Sequence, residues 1–261
     1  MMSPRRPKTW HAQATALAVL GVSALALALV APIPQSPQYH QFADTRALAI
    51  GRLLIPNAAD VLSSLAFCAA GLAGLVRGAH APPSQRMALR VFFIGLVLTG
   101  AGSAWYHLDP SSASLFWDRL AMCIAFAGAL GALAGERLGD RAARRWLGGW
   151  LLLGASALAL WVLKDDLRLY VLTQFGGFMV LLIWLRHSVR PGACALPWGW
   201  LLVAYGLAKV FEAADTSIWT LSGQLIAGHA LKHLAAAAGV IPLLIALSRA
   251  DRGLDQGSGG R

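Results

Sequence analysis

The sequence predicts an all-α, polytopic membrane helix bundle, with a seven-helix core and one extra helix at its N-terminal end. Three observations lead there. Of 261 residues, 57% are hydrophobic and only 13% charged, whereas soluble domains carry about 25% charged residues. Apolar stretches recur along the whole chain, each near the roughly 20 residues a spanning helix needs. Lys and Arg gather in alternate connections between those stretches, as they do in membrane proteins. The net charge of +10 therefore reads as membrane orientation, not as a nucleic-acid surface.

The first apolar segment, at about 12–32, follows the basic MMSPRRPKTW. That arrangement also fits a signal peptide, but the run is longer than a usual signal-peptide core, and APIPQSPQ is a poor cleavage site. A retained helix is the preferred reading. Further segments are expected at about 57–76, 88–106, 115–135, 146–163, 168–186, 196–212 and 226–248. A DPSS turn signal separates the third and fourth. Residues 1–36 form a tail and the extra helix, 37–249 the seven-helix core, and 250–261 a Gly-rich, disordered tail. Trp105, Trp117, Trp146, Trp161, Trp184, Trp198 and Trp219 fall near predicted helix ends, as interfacial belts would. Cys68, Cys123 and Cys194 form no CxxC pair and read as small core residues.

Eight alternating helices put Arg5, Arg6 and Lys8, the 77–90, 136–145 and 186–195 connections, and the C-terminal tail on one side. On the other side, loops 107–114 and 213–225 have no Lys or Arg, loop 33–56 has Arg46 and Arg52, and loop 164–168 offsets Lys164 and Arg168 with Asp165 and Asp166. Both termini are then cytoplasmic, in an inner membrane of bacterial type.

Polar residues collect at the opposite, outer ends. His107 closes the third helix and Asp118 opens the fourth, so they should lie at similar depth. Ser103 precedes His107 by four residues and shares its helix face. The last helix begins IAGHALKHLAAAAG. His229 and His233, again four apart, can converge on one metal ion as in HExxH helices. With His107 they make a His₃ set suited to zinc. Taken singly, each histidine also fits an interfacial, hydrogen-bonded residue. Lys232 between the pair fits a wet helix end and should point to a different face. Lys209, Glu212 and Asp215 lie at helical spacing near the outer end of the seventh helix. They read either as a hydrated helix end or as partners supporting the histidines. His11, His40, His80 and His187 lie at termini or in loops.

Together, Ser103-x3-His107, Asp118 and His229-x3-His233 resemble the alkaline ceramidases and the wider seven-helix membrane hydrolases that include the progestin and adipoQ receptors. NAADVLSSLAF at 57–67 is similar to that family's first core helix, and GAGSAWYH at 100–107 to its G-x-G-S-x-x-F-H segment. The resemblance spans about 40–248. It implies zinc on His107, His229 and His233, Asp118 as the proton-transfer residue, Ser103 as a polar partner of the reacting group, and hydrolysis of a ceramide amide. Three departures accompany it: the extra N-terminal helix, Ser64 in place of the usual Asn, and a reduced acidic cluster. The cluster that binds calcium in eukaryotic members shrinks to Asp44, with Asn57 and Asp60 nearby, which leaves calcium doubtful and ceramide uncertain as native substrate.

The expected partners are the bilayer and a membrane lipid substrate; nothing indicates nucleic acid or a protein partner. A non-catalytic lipid receptor or sensor on the same fold is the competing reading. A transporter fits less well, because its polar residues would spread through both leaflets. There is no GxSxG elbow, P-loop or dinucleotide-binding fingerprint.

Overall fold

The computed structural model describes the backbone of residues 9–258 and the side chains of 9–250. The basic Arg5, Arg6, Lys8 and Arg261, and the side chain of Arg252, lie outside the described residues.

The chain folds as a nearly all-α bundle. In order, it forms α1 (Thr9–Ala28), a short hairpin of β1 (Leu48–Ile50) and β2 (Leu53–Ile55), α2 (Ala58–Arg77), α3 (Pro83–Leu108), α4 (Ser112–Arg137) and α5 (Asp140–Lys164). There follow α6 (Arg168–Val171), a π-helical turn (Leu172–Gly176) and α7 (Gly177–Leu185), then α8 (Trp198–Ala213), α9 (Asp215–Leu221), α10 (Gly228–Ala238) and α11 (Ile241–Ser258). Among the described residues, seven helical stretches are long and apolar enough to cross a membrane: α1, α2, α3, α4, α5, the run from α6 through α7, and α10 with the start of α11. The eighth predicted segment is α8, which has 16 residues and is about 24 Å long at 1.5 Å per residue.

Sequence chemistry explains where the helices begin. After the DPSS turn, Ser111 and Ser114 exchange side-chain and backbone hydrogen bonds in a reciprocal cap that starts α4. Pro83 occupies the first turn of α3, where its missing N–H costs nothing. The helices then close a ring: α5, α4, α3, α2, α10 and α8 follow one another, and α7 joins α8 back towards α4 and α5. The tightest seam is α3 on α4. Gly95 lies against the backbone of Ala125, and Gly128 against the backbone of Phe92, each too close to admit a Cβ. Small residues allow this approach between helices in a lipid setting. The extra helix α1 packs outside the ring on α7 and the π turn, and Trp184 Nε1 donates to Ala12 O at 3.3 Å.

Four features differ from the sequence expectation. The 33–56 connection contains the hairpin, whose three-residue strands are too short to give a periodic signal. The last apolar segment breaks between α10 and α11, because Pro242 in the first turn of α11 cannot donate back to the preceding helix. Trp146, Trp161, Trp184 and Trp198 are 8%, 5%, 0% and 0% exposed and belong to the core, not to interfacial belts. Burial is tolerable where the indole N–H finds an acceptor, as when Trp198 Nε1 donates to Glu136 Oε2 at 2.7 Å. Trp105 and Trp117 do lie half-exposed, stacked on one another. Finally, α11 continues as helix to Ser258, into the segment expected to be a disordered tail; residues 259–261 of that tail lie outside the described residues. The three cysteines are free and buried or half-buried.

Candidate metal centre

Because α2, α4 and α10 begin where α3 ends, one end of the ring collects the N-terminal residues of three helices and the last turn of a fourth. His107 comes from the last turn of α3, His229 and His233 from successive turns of α10. One ligand nitrogen from each lies within 4.8 Å of the others. All three are buried, at 1%, 6% and 3% exposure. They are the only group of three or more potential metal ligands brought this close among the described residues.

Local structure sets each ring. Gly228 at the start of α10 packs against Phe211 O and the Asp215 backbone, with no room for a Cβ. That approach lets Asp215 Oδ1 accept the His229 backbone N–H at 2.7 Å, while Oδ2 accepts that of Ala43 at 3.0 Å. Asp215 thus ties the start of α10 to the 33–56 connection. Phe42, next to Ala43, sets its ring 4.7 Å from that of His107 and 4.8 Å from that of His229, roofing the cluster. Asn57, in the left-handed conformation that begins α2, donates to His107 O at 2.8 Å. The Nδ1 of His233 lies 2.9 Å from Ser63 Oγ and 3.4 Å from Ser64 Oγ. Its Nε2 lies 3.5 Å from Ser103 Oγ.

The donor set fits a cation. His107 Nδ1, His229 Nε2 and both carboxylate oxygens of Asp60 are buried with no hydrogen-bond partner. Asp60 is 0% exposed, and its Oδ2 lies 4.0 Å from His107 Nδ1. Leaving several polar atoms buried and unsatisfied in one small volume is costly. A metal ion between them would satisfy the imidazole nitrogens and bring a positive charge beside the carboxylate. The three-histidine cluster can therefore hold a metal ion.

Of Ser103 and Asp118, Ser103 reaches the histidine cluster, through His233 Nε2. Both line, with His233, the cavity that opens beside the cluster, of about 160 Å³. Gly102, just before Ser103, faces the backbone of Trp117 and Asp118 at 3.0 and 3.1 Å from its would-be Cβ, so the two polar residues occupy adjoining walls. Deeper in the bilayer-spanning part the cavity is lined by apolar chains such as Phe92, Leu96, Phe126 and Leu181.

The residues read as histidine supports divide. Asp215 holds the His229 backbone, not an imidazole. Glu212 instead pairs with Lys209 at 2.7 Å and Lys232 at 2.8 Å, and all three line the cavity. Lys232 is thus no wet helix end; it shares the cavity wall with His233. The three residues read as a calcium-site remnant each have a different neighbour. Asp44 accepts three bonds from Arg46, at 2.7–3.0 Å, and that guanidinium holds its carboxyl below the usual range. Asn57 is engaged with His107 O, and only Asp60 reaches the histidines.

Two contributions escaped the sequence reading. Asp60 and Ser63 reach different histidines from one face of α2; their spacing of three, with Ser64 at four, was a readable signal. Arg119, beside Asp118, is buried in the cavity wall, and no spacing rule marks it. No protein-family model, curated protein or solved structure matches this chain.

Proposed function

We propose that this protein is a zinc-dependent membrane hydrolase that cleaves the amide of ceramide or a related N-acyl lipid. The observation that carries the reading is the junction of two features: a buried three-histidine cluster with unpartnered nitrogens, and an apolar cavity reaching it past Ser103 and Asp118. Three imidazoles are the donor set of catalytic zinc sites that keep a fourth position open. When bound, zinc supplies a Lewis acid and lowers the pKa of water at the site from about 15.7 to about 7.

The chain's own groups divide the remaining work. The apolar wall holds the acyl chain in surroundings like the bilayer it leaves. Ser103 Oγ, 3.0 Å from Ser64 Oγ, turns its proton to the oxyanion that develops on the amide oxygen. Asp118 takes the proton of the attacking water as the carbon–oxygen bond forms, and delivers it to the nitrogen as the carbon–nitrogen bond breaks. Products are a fatty acid and a free amine. Phe42 and the 33–56 connection cover the histidines on the opposite side and limit access of bulk water.

The test is release of fatty acid from a panel of N-acyl lipids by purified protein, with zinc measured on the same samples. Asp118→Asn should keep its metal and fold and lose about 10²–10⁴-fold in turnover. Asp118 is the seventh residue of α4, which Ser111 caps, so it holds no capping role, and a merely space-filling Asp118 would tolerate the isosteric amide. Undiminished turnover in the zinc-replete variant would remove Asp118 from the reaction.

A further inference from the structure

Arg119 has an unusual setting. It is 5% exposed, yet it has no carboxylate within 4.0 Å among the described residues. Its Nη2 donates to Gln35 Oε1 at 2.7 Å, while its Nη1 is buried without a hydrogen-bond partner. Three aromatic rings hold the guanidinium: Trp161 at 4.3 Å, Tyr170 at 4.8 Å and Tyr39 at 5.4 Å from their centroids. Such stacking fixes a guanidinium and offsets part of its desolvation, but rings cannot accept the in-plane Nη1 protons. Arg119 lines the same cavity as Ser103, Asp118 and His233.

Charge in that cavity is unbalanced. Arg119, Lys209 and Lys232 line it against Asp118 and Glu212. Three cations face two carboxylates, so one positive charge is left over; Glu212 pairs with both lysines, and Arg119 is the one of the three without an ion pair among the described residues. A neutral lipid headgroup would leave that guanidinium as it stands. A singly charged anion would supply the missing acceptor, and a carboxylate matches the planar donor edge of a guanidinium.

We infer that the cavity binds a single-chain N-acyl lipid whose headgroup carries a carboxylate, such as an N-acyl amino acid, with that carboxylate on Arg119 Nη1 and the chain along the apolar wall. The inference rests on the N-acyl-lipid reading of the site and narrows its substrate class from neutral to anionic headgroups.

Binding separates this from catalysis. Purified full-length protein in neutral detergent is titrated with N-palmitoylglycine and with N-palmitoylethanolamine, which share chain and amide but differ in headgroup charge. Calorimetry and intrinsic tryptophan fluorescence provide the readouts. A charge-assisted hydrogen bond predicts about tenfold or tighter binding of the carboxylate lipid. Arg119→Gln should remove that preference while binding of the ethanolamide persists, and Arg119→Lys should restore part of it. Equal affinity of the wild-type protein for the two lipids would overturn the proposal without recourse to any variant. So would an unchanged preference in folded Arg119→Gln. Preference without hydrolysis of either lipid would leave the anion subsite standing and count against the hydrolase reading alone.

Discussion

Each histidine of the cluster reaches its place by a different local device, and each device can be removed separately. Asp60 is the most informative single residue. It is buried beside His107 with neither oxygen hydrogen-bonded, so its charge needs a cation nearby. Asp60→Asn should weaken metal binding by about 10–100-fold, the usual effect of losing a residue that supports a ligand. Competition with a chromogenic chelator measures it, and unchanged affinity would show that Asp60 does not feel the metal. The sequence displayed His229-x3-His233 and Ser103-x3-His107 because helical spacing alone puts such pairs on one face. Asp60 against His107 and Arg119 inside its aromatic cage were not displayed in that way. Both depend on which helices become neighbours, and for Arg119 the rings come from the 33–56 connection, α5 and α6.

Element by element, the apolar runs located the long helices because a membrane helix must satisfy every backbone group internally and needs a fixed length. They could not locate the short hairpin or the division of the last segment at Gly239 and Val240, where hydropathy is continuous and Pro242 decides. They also placed large indoles at helix ends from sequence position alone, whereas Trp184 and Trp198 are buried against acceptors on Ala12 and Glu136. Two seams should respond to substitution. Gly128→Leu forces a side chain into the Phe92 backbone and should cost at least the 1–3 kcal/mol typical of overpacking, seen as a lower thermal midpoint in detergent. Asp215→Ala removes the acceptor of the His229 and Ala43 N–H groups. Loss of such a cap costs about 1 kcal/mol, and the start of α10 should then exchange its amide hydrogens faster. Protection equal to wild type would mean that Asp215 does not hold α10.

At the scale of the whole molecule, the histidine site sits at one end of the bundle, and arginines that end helices sit at the other. The histidines, Asp60 and Asp118 lie where α2, α4 and α10 begin, while Arg77 and Arg137 lie where α2 and α4 finish. Read with the positive-inside rule, this predicts that reporters fused at Asp109 or Ser222 appear outside the cytoplasm and those at Arg141 inside. The reverse pattern would put the site on the other membrane face. The central claim, that three histidines from two helices form one metal centre, is tested most directly by elemental analysis of purified protein. Wild-type protein should carry about one zinc per chain, the number one three-histidine site can hold. His107→Ala, His229→Ala and His233→Ala should each lose it while remaining folded by circular dichroism. Full zinc occupancy in any one of the three folded variants, or wild-type protein that takes up no metal from zinc-replete buffer, would contradict the account.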